Sequence, residues 1–219
     1  MQPAPYAYAP PMEPLTILHR DDDILVLSKP AGLLTVPGKP LEHGDCLERR
    51  AQAADPAALL VHRLDRDTSG VVLMARNRPA QRHLGLQFER RMTRKTYVAR
   101  VWGNVMGESG RVDAPIACDW PNRPKQMIDT ENGRPAQTEW QVMAHETMAT
   151  RMMLRPLTGR SHQLRVHMAH LGHPVLGDNF YAHEEALRAA GRLQLHALEL
   201  TILHPADGRF CTFRDACPF

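Results

Sequence analysis

Apolar positions along the chain recur in two rhythms, each predicting a different kind of element. LTIL (15–18) and ILVLS (24–28) are short β-rich runs, separated by His-Arg-Asp-Asp-Asp, which holds no apolar residue and reads as a turn. The KPAGLLTVPG stretch that follows (29–38) is loop-like. Residues 71–75 form a compact apolar run suited to a buried strand, and TYVARVWG (96–103) alternates with β-branched and aromatic residues. TEWQVM (138–143) and ATRMMLRPL (149–157) read as the two strands of a hairpin, and LELTIL (198–203) and FCTF (210–213) as closing strands. Helical spacing is expected over 45–53 with Asp45 as N-cap, over about 79–91, over 161–171 up to Gly172, and over 183–190. Strands and helices are interspersed without regular βαβ alternation. The expectation is an α+β fold, a mixed and mainly antiparallel central sheet with flanking helices and loops.

Residues 1–14 (MQPAPYAYAPPMEP) hold five prolines and no apolar periodicity, so they read as an unpacked or loosely docked flexible tail. The remainder, 15–219, suits a single domain, and no internal repeat is visible. With 43% hydrophobic and 23% charged residues the composition is that of an ordinary globule, which excludes wholesale disorder. No uncharged apolar run approaches the roughly 18 to 20 residues of a membrane span, and no basic-then-apolar secretory signal opens the chain. A cytoplasmic protein without membrane attachment is expected.

A formal net charge of +3 is too small to indicate nucleic-acid binding by itself. Of the 27 basic residues, however, only four are lysines, leaving 23 arginines. The guanidinium fork suits bidentate phosphate contacts and stacking on bases, although a GC-rich genome would produce the same bias. The four cysteines include no CxxC pair, which argues against a disulfide framework or a cysteine-based zinc site.

Three segments could carry chemistry. HRLDRDTSG (62–70) is a polar loop feeding the apolar run 71–75, a place where a rigid sheet can present one carboxylate. The plainer alternative is a turn in which Asp65, Asp67, Thr68 and Ser69 cap backbone donors. RRMTRKTY (90–97) sets Tyr97 at a strand start beside cations, either as a stacking platform for a base or as a half-buried sheet residue. TGRSHQLRVH (158–167) lies in a stretch between Thr147 and Gly177 with four arginines, four histidines and no acid. If Ser161 opens a helix, His162 and Arg165 are one turn apart and can face one groove. A metal site on His162, His167, His170 and His173 is disfavoured because no HExxH pattern and no carboxylate accompany them. No GxSxG, GxxxxGK[ST] or GxGxxG motif is present, and Asp113, Asp119 and Asp129 read as solvated turn residues.

HRLDRDTSG (62–70), KTYVARVWG (95–103) and LTGRSHQLRVHM (157–168) resemble, in order and spacing, the three signature segments of the RluA-type RNA pseudouridine synthases. The likeness also runs through SKPAGLLTVPG, CDWPNRPKQ and LGHPVLGDNFYA and covers roughly 15–213; CDWPNRPKQ (118–126) is most similar to the dual-specificity members acting on 23S ribosomal RNA and transfer RNA anticodon stem-loops. The resemblance implies an isomerase that breaks the uridine glycosidic bond and rejoins ribose C1′ to uracil C5. It implies Asp65 as the catalytic aspartate, Tyr97 as the aromatic against the target base, Arg165 as the ionic partner of Asp65, and Arg63 near the flipped nucleotide. Phosphate contacts would fall to Arg94, Lys95, Arg160 and His162. Neither a metal nor an organic cofactor is implied, and the expected partner is RNA, bound by a monomer without a protein partner. Larger family members often carry an N-terminal RNA-binding module; with fourteen Pro-rich residues ahead of the matched region, target choice is expected to come from the domain and the RNA's own fold. One aspartate can attack C1′ covalently or remove the C2′ proton to give a glycal, and the two routes are not separable here. The rival readings are a non-catalytic RNA-binding or chaperone protein on the same fold, and a hydrolase releasing free uracil.

Overall fold

The computed structural model describes residues 8–39 and 43–219. Twelve strands and four helices follow one another as β1 (Thr16–Arg20), β2 (Ile24–Lys29), α1 (Leu47–Ala54), β3 (Leu59–Leu60), β4 (Ser69–Ala75), α2 (Arg78–Glu89), β5 (Arg94–Trp102), β6 (Ser109–Asp113), β7 (Ile116–Cys118), β8 (Gln126–Ile128), β9 (Gln137–His145), β10 (Ala149–Pro156), α3 (Gln163–His170), α4 (Glu184–Arg188), β11 (Leu195–Leu203) and β12 (Phe210–Arg214). Ten strands form one sheet in the order β1-β2-β4-β11-β5-β10-β9-β6, with β3 beside β4 and β12 beside β11. Only β4 and β11 pair in parallel; the fold is the expected α+β class. β7 and β8 form a separate two-stranded arm.

β4 shows why the interior reads as an unbroken apolar run. All seven of its residues are buried, because the sheet is covered on both faces. Val72 and Met74 pack with Leu25, Leu27, Leu47 and Ala51 on the α1 side, while Val71, Leu73 and Ala75 pack with Ala80 and Leu84 of α2 and with Leu200 and Ile202. Each such side chain contributes about 1.5 to 3 kcal/mol relative to exposure. β4 touches β11 only at Ser69–His196 and Gly70–Ala197, after which β4 continues beside β3 and β11 beside β12. The strands diverge from this point, and α2 packs on both of them.

Gly70 makes that single junction possible. Its φ is +117°, and a Cβ there would lie 2.3 Å from the carbonyl oxygen of Ala197. A side chain at this position would push the two central strands apart, and the polar loop 62–68 feeds directly into it.

The boundaries differ from expectation in instructive places. Asp45 does not cap α1; the N-cap position is Cys46, without a side-chain bond, and Asp45 instead grips Arg50 through two hydrogen bonds of 2.8 and 2.7 Å. The charge-assisted fork offers Asp45 more than a backbone amide would. α3 begins at Gln163 rather than Ser161, because His162 takes a left-handed conformation at φ +53°. Gln163 Oε1 accepts from the Arg160 amide and the Thr158 hydroxyl, closing the turn before the helix. His19 and Arg20, expected in a turn, extend β1. Residues 1–7 of the proline-rich segment lie outside the described residues. Its described part is docked: Tyr8 donates to the Asp45 carbonyl and accepts from the Leu34 amide, while Arg50 donates to the carbonyls of Pro11 and Glu13.

Candidate active site

A cleft of about 310 Å³ opens where the 62–68 loop, the start of β5 and the turn into α3 converge. Its lining includes Arg63, Asp65, Lys95, Tyr97, Arg160, His162 and Arg165. Strand periodicity explains why two adjacent cations of β5 part company. Lys95 and Tyr97 face the cleft, whereas Arg94 points to the other face, its guanidinium over the Phe210 ring at 5.7 Å. Arg94, expected among the RNA-binding residues, is therefore not part of the cleft lining.

The 62–68 loop is pinned by its backbone. Thr35 Oγ1 donates to the Leu64 carbonyl and accepts from its amide. Lys29, fully buried, donates through Nζ to the carbonyls of Pro30, Leu33 and Arg66 at 2.9, 2.6 and 2.7 Å. Burial pushes the Lys29 pKa down to about 7 against the pull of Asp67 and Asp65. Arg66 holds Asp67 in a two-pronged pair at 2.7 and 2.6 Å. With the loop held in this way, the Asp65 carboxylate caps nothing and receives no hydrogen bond from the described residues. It is about a quarter exposed, and its one ion-pair contact is Arg165 Nη1 at 3.9 Å.

Arg165 thus faces Asp65 as expected, but it also has a closer partner. The principal partner of Arg165 is Asp178, which takes Nε at 2.7 Å and Nη2 at 2.6 Å; Nη2 also reaches Asn179 Oδ1 at 3.2 Å. Asp178 is fully buried and accepts from the amides of Phe180 and Tyr181. Burial works against the charged guanidinium, but the Asp178 bonds outweigh it and hold the Arg165 pKa above its ordinary value. Two prongs fix the guanidinium plane, and the third nitrogen is left for Asp65. A sequence signal for Asp178 did exist. It is the first acid after a long stretch containing none, in which a buried arginine needs a counter-ion.

Tyr97 joins the two main core clusters and forms one wall of the cleft. Burial, followed by the charge of Asp65, raises its pKa, so the ring stays a neutral phenol. His62 stacks on Phe88 at 4.6 Å, and its Nε2 accepts from the Leu73 amide. Burial, reinforced by the charge of Lys95, lowers its pKa to about 3. Lys95 donates to the Thr158 carbonyl, and burial followed by the Arg91 charge lowers its pKa to about 8. Arg63 is exposed at the mouth without a hydrogen bond or ion pair among the described residues.

His162 is tied to Tyr181, Nδ1 to Oη at 2.7 Å, and Tyr181 Oη in turn accepts from the Gln126 amide of β8. The Tyr181 hydroxyl thus ties the turn before α3 to β8. Burial lowers the His162 pKa, with Asp65 pulling the other way. His167 is buried between Thr138 and the Ala114 carbonyl, and His173 bonds the Trp102 carbonyl. Among the described residues no three His, Cys, Asp or Glu side chains gather as a metal site, and no helix is long and apolar enough to cross a membrane.

The region that holds these residues matches known proteins. The family model for RNA pseudouridylate synthase matches residues 23–170, spanning the Asp65 loop, Tyr97 and Arg165. The chain belongs to the RNA pseudouridylate synthase family. It is 54% identical over 214 residues to the dual-specificity RNA pseudouridine synthase RluA of Escherichia coli K12, covering 97% of this chain and 98% of that protein. To the protein of the same name from Yersinia pestis it is 50% identical over 206 residues, covering 94% and 100%. Among solved structures, human RNA pseudouridylate synthase domain containing 1 superposes with a TM-score of 0.77 at 29% identity, covering 93% of this chain and 86% of that one. Human domain containing 4 gives 0.74 at 26% identity, covering 93% and 88%.

Proposed function

We propose that this synthase isomerises a uridine to pseudouridine in stem-loops of both 23S ribosomal RNA and transfer RNA anticodon arms, with Asp65 acting at ribose C1′ or C2′. The observation that carries the reading is a solitary carboxylate in a cleft, faced by a guanidinium locked in place from behind. Of the described residues lining the cleft, Asp65 is the single carboxylate. A hydrolase of the glycosidase type needs two, one acting as acid, so this site favours an isomerase that keeps its base over one that releases it. Attack of the carboxylate at C1′, or its removal of the C2′ proton, breaks the C1′–N1 bond and sends the electron pair to uracil. The detached base turns and C5 bonds to C1′ as the Asp65–C1′ ester breaks, or as the C2′ proton returns to the glycal; C5 then loses its proton and N1 gains one. Tyr97, a neutral ring whose hydroxyl has no hydrogen bond among the described residues, suits a stacking wall for a base out of its helix. Arg63, Lys95 and Arg160 around the mouth suit phosphates. His162, neutral and tied to Tyr181, suits positioning of the RNA rather than charge pairing. Arg94 belongs to the surface beyond the cleft, where it can meet only a longer RNA.

The dual target is supported by the relatives' shared name and by coverage of nearly their whole length. The place of action is then the cytoplasm, where both RNAs are found. The test is pseudouridine-selective sequencing of total RNA from cells with and without the gene. Loss of signal at one transfer RNA loop and one ribosomal hairpin is expected, and loss at neither overturns the reading.

A further inference from the structure

Beside the catalytic cleft lies a second and larger one, about 650 Å³, whose lining includes Asp119, Trp120, Asp129, Asn132 and Arg134, together with Arg160 and Ser161. Arg160 and Ser161 also line the catalytic cleft, so the two spaces share a wall. The second cleft is formed by the β7–β8 arm and the short 3-10 turn Trp120–Asn122 between its strands. On that turn Trp120 is 67% exposed, and the guanidinium carbon of Arg123 sits 3.6 Å from its ring centre. An indole left in water on a surface arm, with a cation stacked on it, is what an unpaired base uses as a platform. Trp120 has no role in the core.

We propose that this cleft receives a second unstacked nucleotide of the RNA, near the target uridine, with its base stacked on Trp120. The proposal rests on the reading of the neighbouring cleft as an RNA-modifying site. Arg160, on the shared wall, is placed to meet the phosphates running between the two nucleotides. Asp129 gives one carboxylate oxygen to the amides of Glu131 and Asn132 and leaves Oδ2 without a hydrogen-bond partner among the described residues. A free carboxylate oxygen repels phosphate and accepts from an exocyclic amine, which favours adenine, cytosine or guanine over uracil. The arm is also connected to the reacting site, since β8 reaches His162 through Gln126 and Tyr181. Trp120 is thus a specificity residue outside the catalytic group, and a nucleotide it holds selects which loops present their uridine to Asp65.

The test uses the full-length protein and a parent stem-loop RNA that it modifies, plus RNAs in which each other loop nucleotide in turn is abasic. Turnover and RNA affinity are measured for the wild type, Trp120→Ala and Trp120→Phe, with thermal unfolding as the fold control. Trp120→Ala is expected to lower kcat/KM about 5- to 150-fold through KM, with kcat and Tm nearly unchanged. Trp120→Phe restores most of the loss. One abasic position should cost the wild type a similar factor and cost Trp120→Ala nothing more. A Trp120→Ala enzyme within twofold of wild type on every RNA overturns the platform. A loss that adds to that of every abasic position does the same. If the wild type binds the RNAs but converts none, the proposed reaction fails instead, and the affinities still decide the platform by the same pattern.

Discussion

The Asp65 loop and the β7–β8 arm border adjoining clefts, yet they are held in opposite ways. The loop is fixed from below by Lys29, Thr35 and the Gly70 junction, and Arg165 opposite it by buried Asp178. The arm shows solvent an exposed indole and has hydrogen bonds mostly within its own turn. Bond-making needs a carboxylate placed to a fraction of an ångström, which only a buried, mutually constrained setting provides. Choosing among RNA loops calls instead for surface that can change without disturbing the chemistry.

Substitutions on the two sides should therefore separate turnover from stability and binding. The largest effect belongs to Asp65→Asn, which removes the reacting group but keeps its shape. Turnover should fall by about 10⁴-fold or more while RNA affinity stays within about threefold; an equal fall in binding would sink the role given to Asp65. Asp178→Ala leaves a buried guanidinium without its partner and is expected to cost about 3 to 5 kcal/mol of stability along with activity. Denaturant unfolding reads the first part, and no change in midpoint would show that Arg165 does not depend on Asp178. Gly70→Ala should cost about 1 to 3 kcal/mol, since the new methyl meets the Ala197 backbone and φ is unfavourable. Its turnover should drop further than Trp120→Ala reduces kcat, because the junction sets where Asp65 sits.

Another effect is one of pH. His62 has a folded pKa near 3, below its unfolded value near 6.5, so the unfolded chain binds the extra proton between those limits. Its contribution is intact above about pH 6.5 and is lost as pH falls toward 3. His62→Gln, which keeps an acceptor for the Leu73 amide, should flatten that acid limb of the stability curve. An unchanged limb would mean that other groups carry it. On the arm, Trp120→Ala should shift stability by no more than about 0.5 kcal/mol.

Much of the sheet was readable because burial on two faces or one leaves its mark on a strand, as in the run 71–75 and the alternation of 96–103. Helix starts were less readable. Both Asp45 and Ser161 are good caps in isolation, but Asp45 was claimed by Arg50 of the same helix and Ser161 was passed over when His162 turned left-handed. The short strands β3, β7 and β8 lack any periodicity, being only two or three residues long. For the site, resemblance drew Asp65, Tyr97 and Arg165 to one place, and the cleft contains all three. What supports them was hidden. Lys29 looks like a loop lysine until three carbonyls are found around it, and Asp178 lies 13 residues beyond the arginine it holds.

The position of β11 has a consequence for how the enzyme comes into being. This strand, the last but one, is inserted between β4 and β5, joining Ser69 to His196 across 127 positions. Until residues 195–203 have been synthesised, the sheet lacks its middle and the Gly70 junction beneath the Asp65 loop cannot form. A growing chain that has not yet added β11 therefore cannot join its β2–β4 half to its β5–β10 half, and residues 195–203 complete the enzyme's sheet.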